Sequence, residues 1–471
     1  MGLGHGHRER RFQEGVIPPS GWLIVLSPLI AAFFYAPLAF GCVTPSTVAV
    51  LDQLLALSFV LWAGLLIFER RLPRLSLICC GSLIFLTALG TRDALNPLSI
   101  FHAETWSFSP LAEAVTWLPG TVDQAASAPI LRHMGALLLG GLVLQDAVAG
   151  SRPRWLLFRT VAIAGLVIAV IGMEQKASGA AAMLWSTPER SGTHFFAAFR
   201  YHGNAASFLN LSWPAALAVA LRSRLIRPGG IVASIDLAVV FFVLAAVFVN
   251  TSKAGQILGL TGAFIGIWHF RSQIFEQNIP RSTAVLTGLL FMGAFAVLVL
   301  PGLVSSIANW SSFIDKGDTL HGRLLAYGAC LRALPETGIF GTGPGTFRLV
   351  FPFYTNHLGN RIAGIWIHAH QDWLQGLIEW GYTGFAAWAV LYTGAFVRLW
   401  RRIRHARDKG VLEITASISL LGLALVLVHS VGDFPLQIPA IQWLVVFYLA
   451  VAWSNPHERH SHSHTTAHEA S

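Results

Sequence analysis

Residues 231–249 read IVASIDLAVVFFVLAAVFV, nineteen positions with a single charged side chain. A helix that crosses the hydrocarbon layer of a bilayer needs about 20 mostly apolar residues, so this stretch has the length and character of a membrane span. Runs of the same kind recur at about 22–41, 48–68, 75–90, 130–149, 155–172, 204–221, 254–270, 284–303, 373–397, 412–430 and 437–453. Together they predict an all-α, polytopic membrane protein of about twelve spans. The whole composition agrees: of 471 residues, 54% are hydrophobic and 12% charged, with a mean hydropathy of +0.59. A water-soluble globule of this size does not have that balance.

The charges fall between the apolar runs rather than on one soluble face. Arg70, Arg71 and Arg74 follow the second run; Arg152, Arg154 and Arg159 the fourth; Arg222, Arg224 and Arg227 the sixth; Arg271 and Arg281 the eighth. Arg398, Arg401, Arg402, Arg404, Arg407 and Lys409 follow the tenth. Basic loops mark the cytoplasmic side, so these loops and both termini are expected there. The net charge of +9 then reports topology; it points to membrane lipid and not to nucleic acid. Arg8, Arg10 and Arg11 ahead of the first run favour an uncleaved span over a cleaved signal. The predicted organisation is a cytoplasmic segment 1–21, spans one to nine over 22–306, and a large catalytic loop 307–372 on the outer side, between the ninth and tenth spans. Spans ten to twelve over 373–453 and a His-rich cytoplasmic tail 454–471 complete it. The tail's HERHSHSH run is low in complexity and reads as solvated and disordered rather than as a metal site. Cys42, Cys79, Cys80 and Cys330 show neither zinc-finger nor redox-motif spacing.

Polar groups at membrane depth are expensive, so those beside span ends are candidates for function. In FRYHGN, at 199–204, Arg200, His202 and Asn204 sit at the outer interface, either as ligand groups or as a helix cap. In NTSKAG, at 250–255, Lys253 is a cation on the side that disfavours one. With Ser252 as cap, Lys253 and the free N–H groups of a helix N-terminus converge as they would on a phosphate; the alternative is a lysine snorkelling to the interface. Next come Arg323, opening a helix expected to end near Leu334, and a turn with Gly341, Gly343 and Gly345, where the missing Cβ permits close approach to a ligand. No strand precedes that turn, so it is not a dinucleotide fingerprint. In IHAHQDWLQ, at 367–375, His368 and His370 can each take a proton near neutral pH. The third and fourth ligands of a zinc site are not evident beside them, which favours acid–base work and no metal. A membrane transporter of a polysaccharide precursor or other solute is the alternative, but the internal repeats and mid-membrane ionisable groups common in transporters are not clear here.

Taken in order over residues 200–440, these elements resemble the O-antigen ligase and polymerase superfamily of bacterial envelope enzymes. HAHQDWLQGLIEWGYTG, at 368–384, is similar to the family's histidine–asparagine motif followed by Glu and Gly. HSVGDFPLQIPA, at 429–440, is a second specific element, and TSKAG, at 251–255, resembles a motif that usually reads Ser-Arg-Gly. GRLLAYGACLRALPETGIFGTGPGTF resembles the stretch with an essential arginine and a Gly-rich turn. Lys253 stands where arginine is common, and Gln371 where asparagine is common. The resemblance implies an inverting, metal-independent glycosyltransferase with no cofactor, of the O-antigen ligase or exopolysaccharide polymerase type, in the bacterial inner membrane. Its donor would be a glycan on undecaprenyl diphosphate, and its acceptor a hydroxyl of lipid A core, of a growing glycan or of a protein, on the periplasmic side. Arg323 and Lys253 are expected to stabilise the diphosphate, and His370 to act as base with His368 in reserve. Arg200, Asn204, Gly343, Gly345 and Gln371 are expected to bind substrate. Asp372, Glu379 and Asp433 are expected to orient histidines or cap helices.

Overall fold

A computed structural model describes residues 20–185, 187–188, 195–226, 230–275, 289, 292–293, 307, 310, 318–362, 366–405 and 410–455. The expected N-terminal segment up to residue 19, most of the ninth span, parts of the 307–372 loop and the tail from residue 456 lie outside the described residues. The helices are α1 (Ser20–Leu38), α2 (Pro45–Glu69), α3 (Leu77–Leu95), α4 (Gln124–Ala149), α5 (Ser151–Ala177), α6 (His202–Ile226) and α7 (Ile231–Val249). They continue with α8 (Lys253–His269), α9 (Arg271–Phe275), α10 (Asp318–Thr337), α11 (Phe347–Thr355), α12 (Asp372–His405), α13 (Val411–His429) and α14 (Pro439–Trp453). Two small antiparallel hairpins, β1 (Ser99–His102) with β2 (Ser107–Pro110) and β3 (Ala182–Met183) with β4 (Thr187–Pro188), lie in the loops.

Among the described residues, eight helices are long and apolar enough to cross a membrane: α1 to α7, and α13 over Leu412–His429. The expected count was about twelve. α8 and α14, at 17 and 15 residues, are short of the length, and α12, at 34 residues, carries a break. The centre of the bundle is α6, whose apolar window is wholly buried although its hydropathy, 1.2, is the lowest of the eight. It packs against α5, α7, α8 and α13. Small side chains make this possible: Ala205, Ala206, Ala215, Ala216, Ala218 and Ala220 let neighbouring backbones come close, which is how helices associate where lipid offers no hydrophobic gradient. A Cβ on Gly255 would sit 2.4 Å from that of Ala206, so the start of α8 is drawn tightly onto α6.

The break in α12 positions the outer loops. Gly381 has φ 58° and ψ −170°, a conformation confined essentially to glycine. The interruption frees the carbonyls of Ile378 and Glu379, and the segment after α10 fills the gap. Thr342 N–H donates to Ile378 O at 2.9 Å, Gly343 N–H to Glu379 O at 3.0 Å, and Thr383 N–H to Ile339 O at 3.2 Å. The buried Glu379 carboxylate accepts from Phe347 N–H and from Gln375 Nε2, both at 3.1 Å. The helix expected to open at Arg323 and end near Leu334 runs instead over Asp318–Thr337, with Pro335 in its last turn. It stops at Gly338, φ 72°, as a left-handed residue stops a helix. Gly381→Ala is therefore expected to destabilise by about 3 kcal/mol or more, because a Cβ there would lie 2.3 Å from Ile339 O and 2.4 Å from Gly341 N. Thermal unfolding in detergent measures this; a midpoint equal to wild type would contradict the packing.

Candidate active site

Several helix ends meet on one side of the bundle: the end of α1, the starts of α6, α12 and α14, and the end of α13. They enclose a cavity of about 420 Å³ lined by, among others, Arg200, Tyr201, Asn204, His368, His370 and Phe434. Two segments distant in sequence are stitched together at its floor. Asp372 N–H donates to Ser430 O at 2.9 Å, and the Asp372 carboxylate accepts from Leu436 N–H at 2.9 Å and from Gln437 Nε2 at 3.0 Å. This fixes the start of α12 against the turn after α13, and with it His370 against Asp433. Gln375 reaches back to accept from Ala369 N–H at 3.1 Å, between the two histidines.

Asp433 is the hub. It is 4% exposed, with His370 Nδ1 3.4 Å from one oxygen and His429 Nε2 3.9 Å from the other. Burial opposes its charge, but His370, His429 and Arg323 together hold its carboxyl below the ordinary carboxylate range. His370 Nδ1 makes no hydrogen bond at this distance, but a proton there would face the carboxylate and leave the Nε2 lone pair for a hydroxyl in the cavity, a geometry from which a carboxylate can orient a general base. The backbone of His370 is left-handed, φ 51°, which costs a residue with a Cβ about 1–2 kcal/mol. Tyr327 Oη donates to the His370 carbonyl at 2.7 Å, and the rings of Phe434 and Trp366 stand edge-on to the imidazole at 4.7 and 5.4 Å. Arg323, one helical turn before Tyr327, donates to Gly432 O at 2.8 Å and to the Tyr201 hydroxyl at 3.5 Å. It stands at the rim beside Tyr201 rather than in the wall. Burial and the charge of Asp433 hold the Tyr201 hydroxyl above its ordinary range, so it stays neutral. Tyr201 in turn stacks on Phe434 at 5.5 Å, and Phe434 on His368 at 4.6 Å.

The cavity thus holds a cation at the rim, an imidazole facing a buried carboxylate, and stacked rings, with the orphaned Oδ1 of Asn204 in its wall. Residues 238–389 match the family model described as O-antigen ligase. Over those residues the chain is similar to the O-antigen ligase family. No curated protein matches the chain. The apolar helices, with this match, are those of a multi-pass membrane protein.

Of the residues singled out in the sequence, the fold brings His368, His370, Arg200 and Asn204 to the cavity wall, with Arg323 beside it. Lys253 is not among the lining residues; it opens α8 with Nζ 5.9 Å from the Trp310 ring centroid. Its loop still meets the site, since Asn250 Nδ2 donates to His202 O at 3.0 Å and Thr251 Oγ1 lies 3.2 Å from His202 Nδ1. Gln371 is turned to the start of α12, where its Oε1 accepts from Leu374 N–H at 2.5 Å. Gly343 and Gly345, expected to bind substrate, are not among the residues that line the cavity. They allow close approach, but to the protein itself: a Cβ on Gly343 would lie 2.3 Å from Thr121 Oγ1, and one on Gly345 2.8 Å from Ile130. The sequence reading gave Asp433 at most an orienting part and passed over Tyr201 and Tyr327. Tyr201 lies inside FRYHGN and Asp433 inside HSVGDFPLQIPA, both outside the O-antigen ligase match; a carboxylate in a resembling motif was the available signal. Among the described residues, no three His, Cys, Asp or Glu side chains are grouped as metal ligands.

His368 differs from His370. Burial, with the nearby charge of His370, pushes its imidazole down to about 4 from the ordinary 6.5. It is a neutral hydrogen-bonding group at pH 7 and, as the reserve base, a weaker one than an ordinary imidazole. The unfolded chain takes up that proton near 6.5, while the folded chain resists until about 4. Stability is therefore expected to fall as the pH drops through this window, by about 3 kcal/mol in all. Replacement by phenylalanine should flatten that part of the melting-temperature profile; an unchanged slope would place the titration elsewhere.

Proposed function

We propose that the protein is an inverting, metal-independent glycosyltransferase that moves a glycan from undecaprenyl diphosphate to an acceptor hydroxyl on the periplasmic side. The observation that carries this is the pairing, across Tyr201, of Arg323 with the Asp433-oriented His370 at one cavity. The acceptor oxygen attacks the anomeric carbon while His370 Nε2 takes its proton. The bond from that carbon to the diphosphate oxygen breaks, and the diphosphate leaves with the electron pair. Arg323 sits where it can meet the charge growing on that leaving group, with Arg200 in the wall beside it; fixed donors of this kind act most strongly where water is excluded. Attack from the face opposite the leaving group inverts the anomeric centre. Sidedness is supported by the basic loops, which follow the helix ends away from the cavity. The 307–372 loop, which contributes Arg323, His368 and His370, is in this reading the catalytic loop.

The test is transfer by the purified full-length chain in vesicles containing an undecaprenyl-diphosphate glycan. Lipid A core, a glycan and a protein are supplied in turn as acceptors. Product is expected with one acceptor, with the anomeric configuration inverted and undiminished by chelator. Absence of product with all three would remove the enzyme reading.

A further inference from the structure

Ionisable side chains are rare at membrane depth and mark function where they occur. A pair of this kind lies apart from the cavity: Asp52 on α2 and His133 on α4, both buried. Asp52 stands within the apolar run of α2, about 10 Å along the axis from its first residue, Pro45. His133 Nδ1 lies 2.5 Å from Asp52 Oδ1, and Arg132 Nε is 3.9 Å from the other carboxylate oxygen. On the opposite edge of the ring, His133 Nε2 lies 3.0 Å from Gln442 Oε1, in the first turn of α14. Helix α4 packs against both α2 and α14, so these three side chains bridge three helices.

Donors and acceptors fix the direction of the chain. Gln442 Nε2 donates to Leu436 O at 2.7 Å. A backbone carbonyl only accepts, so the amide cannot be turned round, and its oxygen is the atom that faces His133. That oxygen also only accepts, so His133 Nε2 carries a proton. A second proton lies between Nδ1 and Asp52 Oδ1, on one or the other, because two bare acceptors repel at 2.5 Å. The chain then runs on to the candidate site. Leu436 is held at both ends: its carbonyl accepts from Gln442, and its N–H donates to the Asp372 carboxylate at 2.9 Å. Just before Leu436 stand Phe434, edge-on to the His370 ring, and Asp433, 3.4 Å from His370 Nδ1. We propose that His133 is a positioning residue for this site, acting through Gln442 and Leu436 to set the approach of Asp433 to His370. Asp52 keeps the imidazole turned with Nε2–H toward Gln442. Such a buried polar network rigidifies what it joins when each member is satisfied. The consequence for rate rests on the glycosyltransferase reading, in which a misplaced base slows the chemical step more than it weakens binding; the consequence for the His370 ring does not.

The experiment compares the full-length wild type in vesicles with Gln442→Met, His133→Phe, the double variant and Ser58→Ala. Ser58 is buried on α2 and donates to Val25 O at 2.7 Å, so its variant removes a buried hydrogen bond outside the chain. Nitrogen NMR of ring-labelled histidines is recorded first, without substrate, with His133 and His370 assigned from the signals that His133→Phe and His370→Ala lose. His133 is expected to carry a proton on Nε2. The His370 signals are expected to move in Gln442→Met and His133→Phe but to stay in place in Ser58→Ala, even where all three lower the melting temperature. Initial rates of glycan transfer come second. Each single variant is expected to lower kcat about tenfold with KM unchanged, and the double variant to lower it no further, since two links of one chain do not add. A bare Nε2 on His133, His370 signals unmoved in Gln442→Met, or a fall of about a hundredfold in the double variant would overturn the proposal. If the wild type transfers nothing, the glycosyltransferase reading falls, and the His370 signals still decide whether His133 positions the ring. Should His133→Phe fail to fold, Gln442→Met set against Ser58→Ala carries the comparison.

Discussion

Arg323→Ala is expected to slow glycan transfer by about a thousandfold, and Arg323→Lys to recover little of that loss. The guanidinium is held by two acceptors that diverge, Gly432 O at 2.8 Å and the Tyr201 hydroxyl at 3.5 Å, which leaves other N–H groups of the same plane for a diphosphate oxygen. Lysine keeps the charge but offers a single nitrogen, which cannot hold both anchors and present a fork. Burial works against the charge of Arg323, but Tyr201 and Asp433 offset it, so the cation stays in place at any physiological pH. A thousandfold corresponds to about 4 kcal/mol of transition-state stabilisation, within reach of a charged donor fixed beside the leaving group. Initial rates in vesicles, read beside melting temperatures, separate chemistry from folding. A variant that folds as wild type and retains a rate within tenfold of it would mean that Arg323 braces Gly432 and Tyr201 and does nothing to the leaving group. Tyr201→Phe, which removes one anchor but not the charge, should cost about tenfold.

The helices were legible because a span imposes a length on an apolar run, and runs such as 231–249 have no other use. The total was less legible. α8 and α14 are short for the bilayer, and α12 contains a bend made by Gly381, which hydropathy does not register. The parts of the candidate site were legible as such, since IHAHQDWLQ and the Arg323 helix announce themselves by chemistry at span ends. What joins them was hidden by chain distance. His370 and Asp433 are brought together only when Asp372 accepts from Leu436 and Gln437, contacts that no local pattern encodes. The glycines show a different limit of pattern. GTGPG does permit close approach, as expected, but its partners are Thr121, Ile130 and the broken strand of carbonyls in α12, and composition alone cannot tell backbone from ligand.

His370→Ala and His370→Gly are expected to share one catalytic outcome and to differ in stability. Both remove the base and should lower the rate by about 10²–10⁴-fold. Both also lose the ring's edge contacts with Phe434 and Trp366 and its approach to Asp433. They differ in the backbone. Position 370 has φ 51°, which alanine must hold at a cost and glycine holds freely, so the glycine variant is expected to be the more stable by about 1 kcal/mol. The left-handed turn is held in part by the Tyr327 hydroxyl on the His370 carbonyl, and it aims the imidazole at Asp433 across the floor of the cavity. A strained residue persists where its surroundings over-determine it, often because its direction matters to function. The glycine variant then offers a further discrimination: it leaves a cleft of imidazole size beside Asp433, and added imidazole should restore part of the rate there more readily than in a variant that also lacks Asp433. Equal stability of the two variants would remove the strain argument, and a wild-type rate in either would remove His370 from the chemistry.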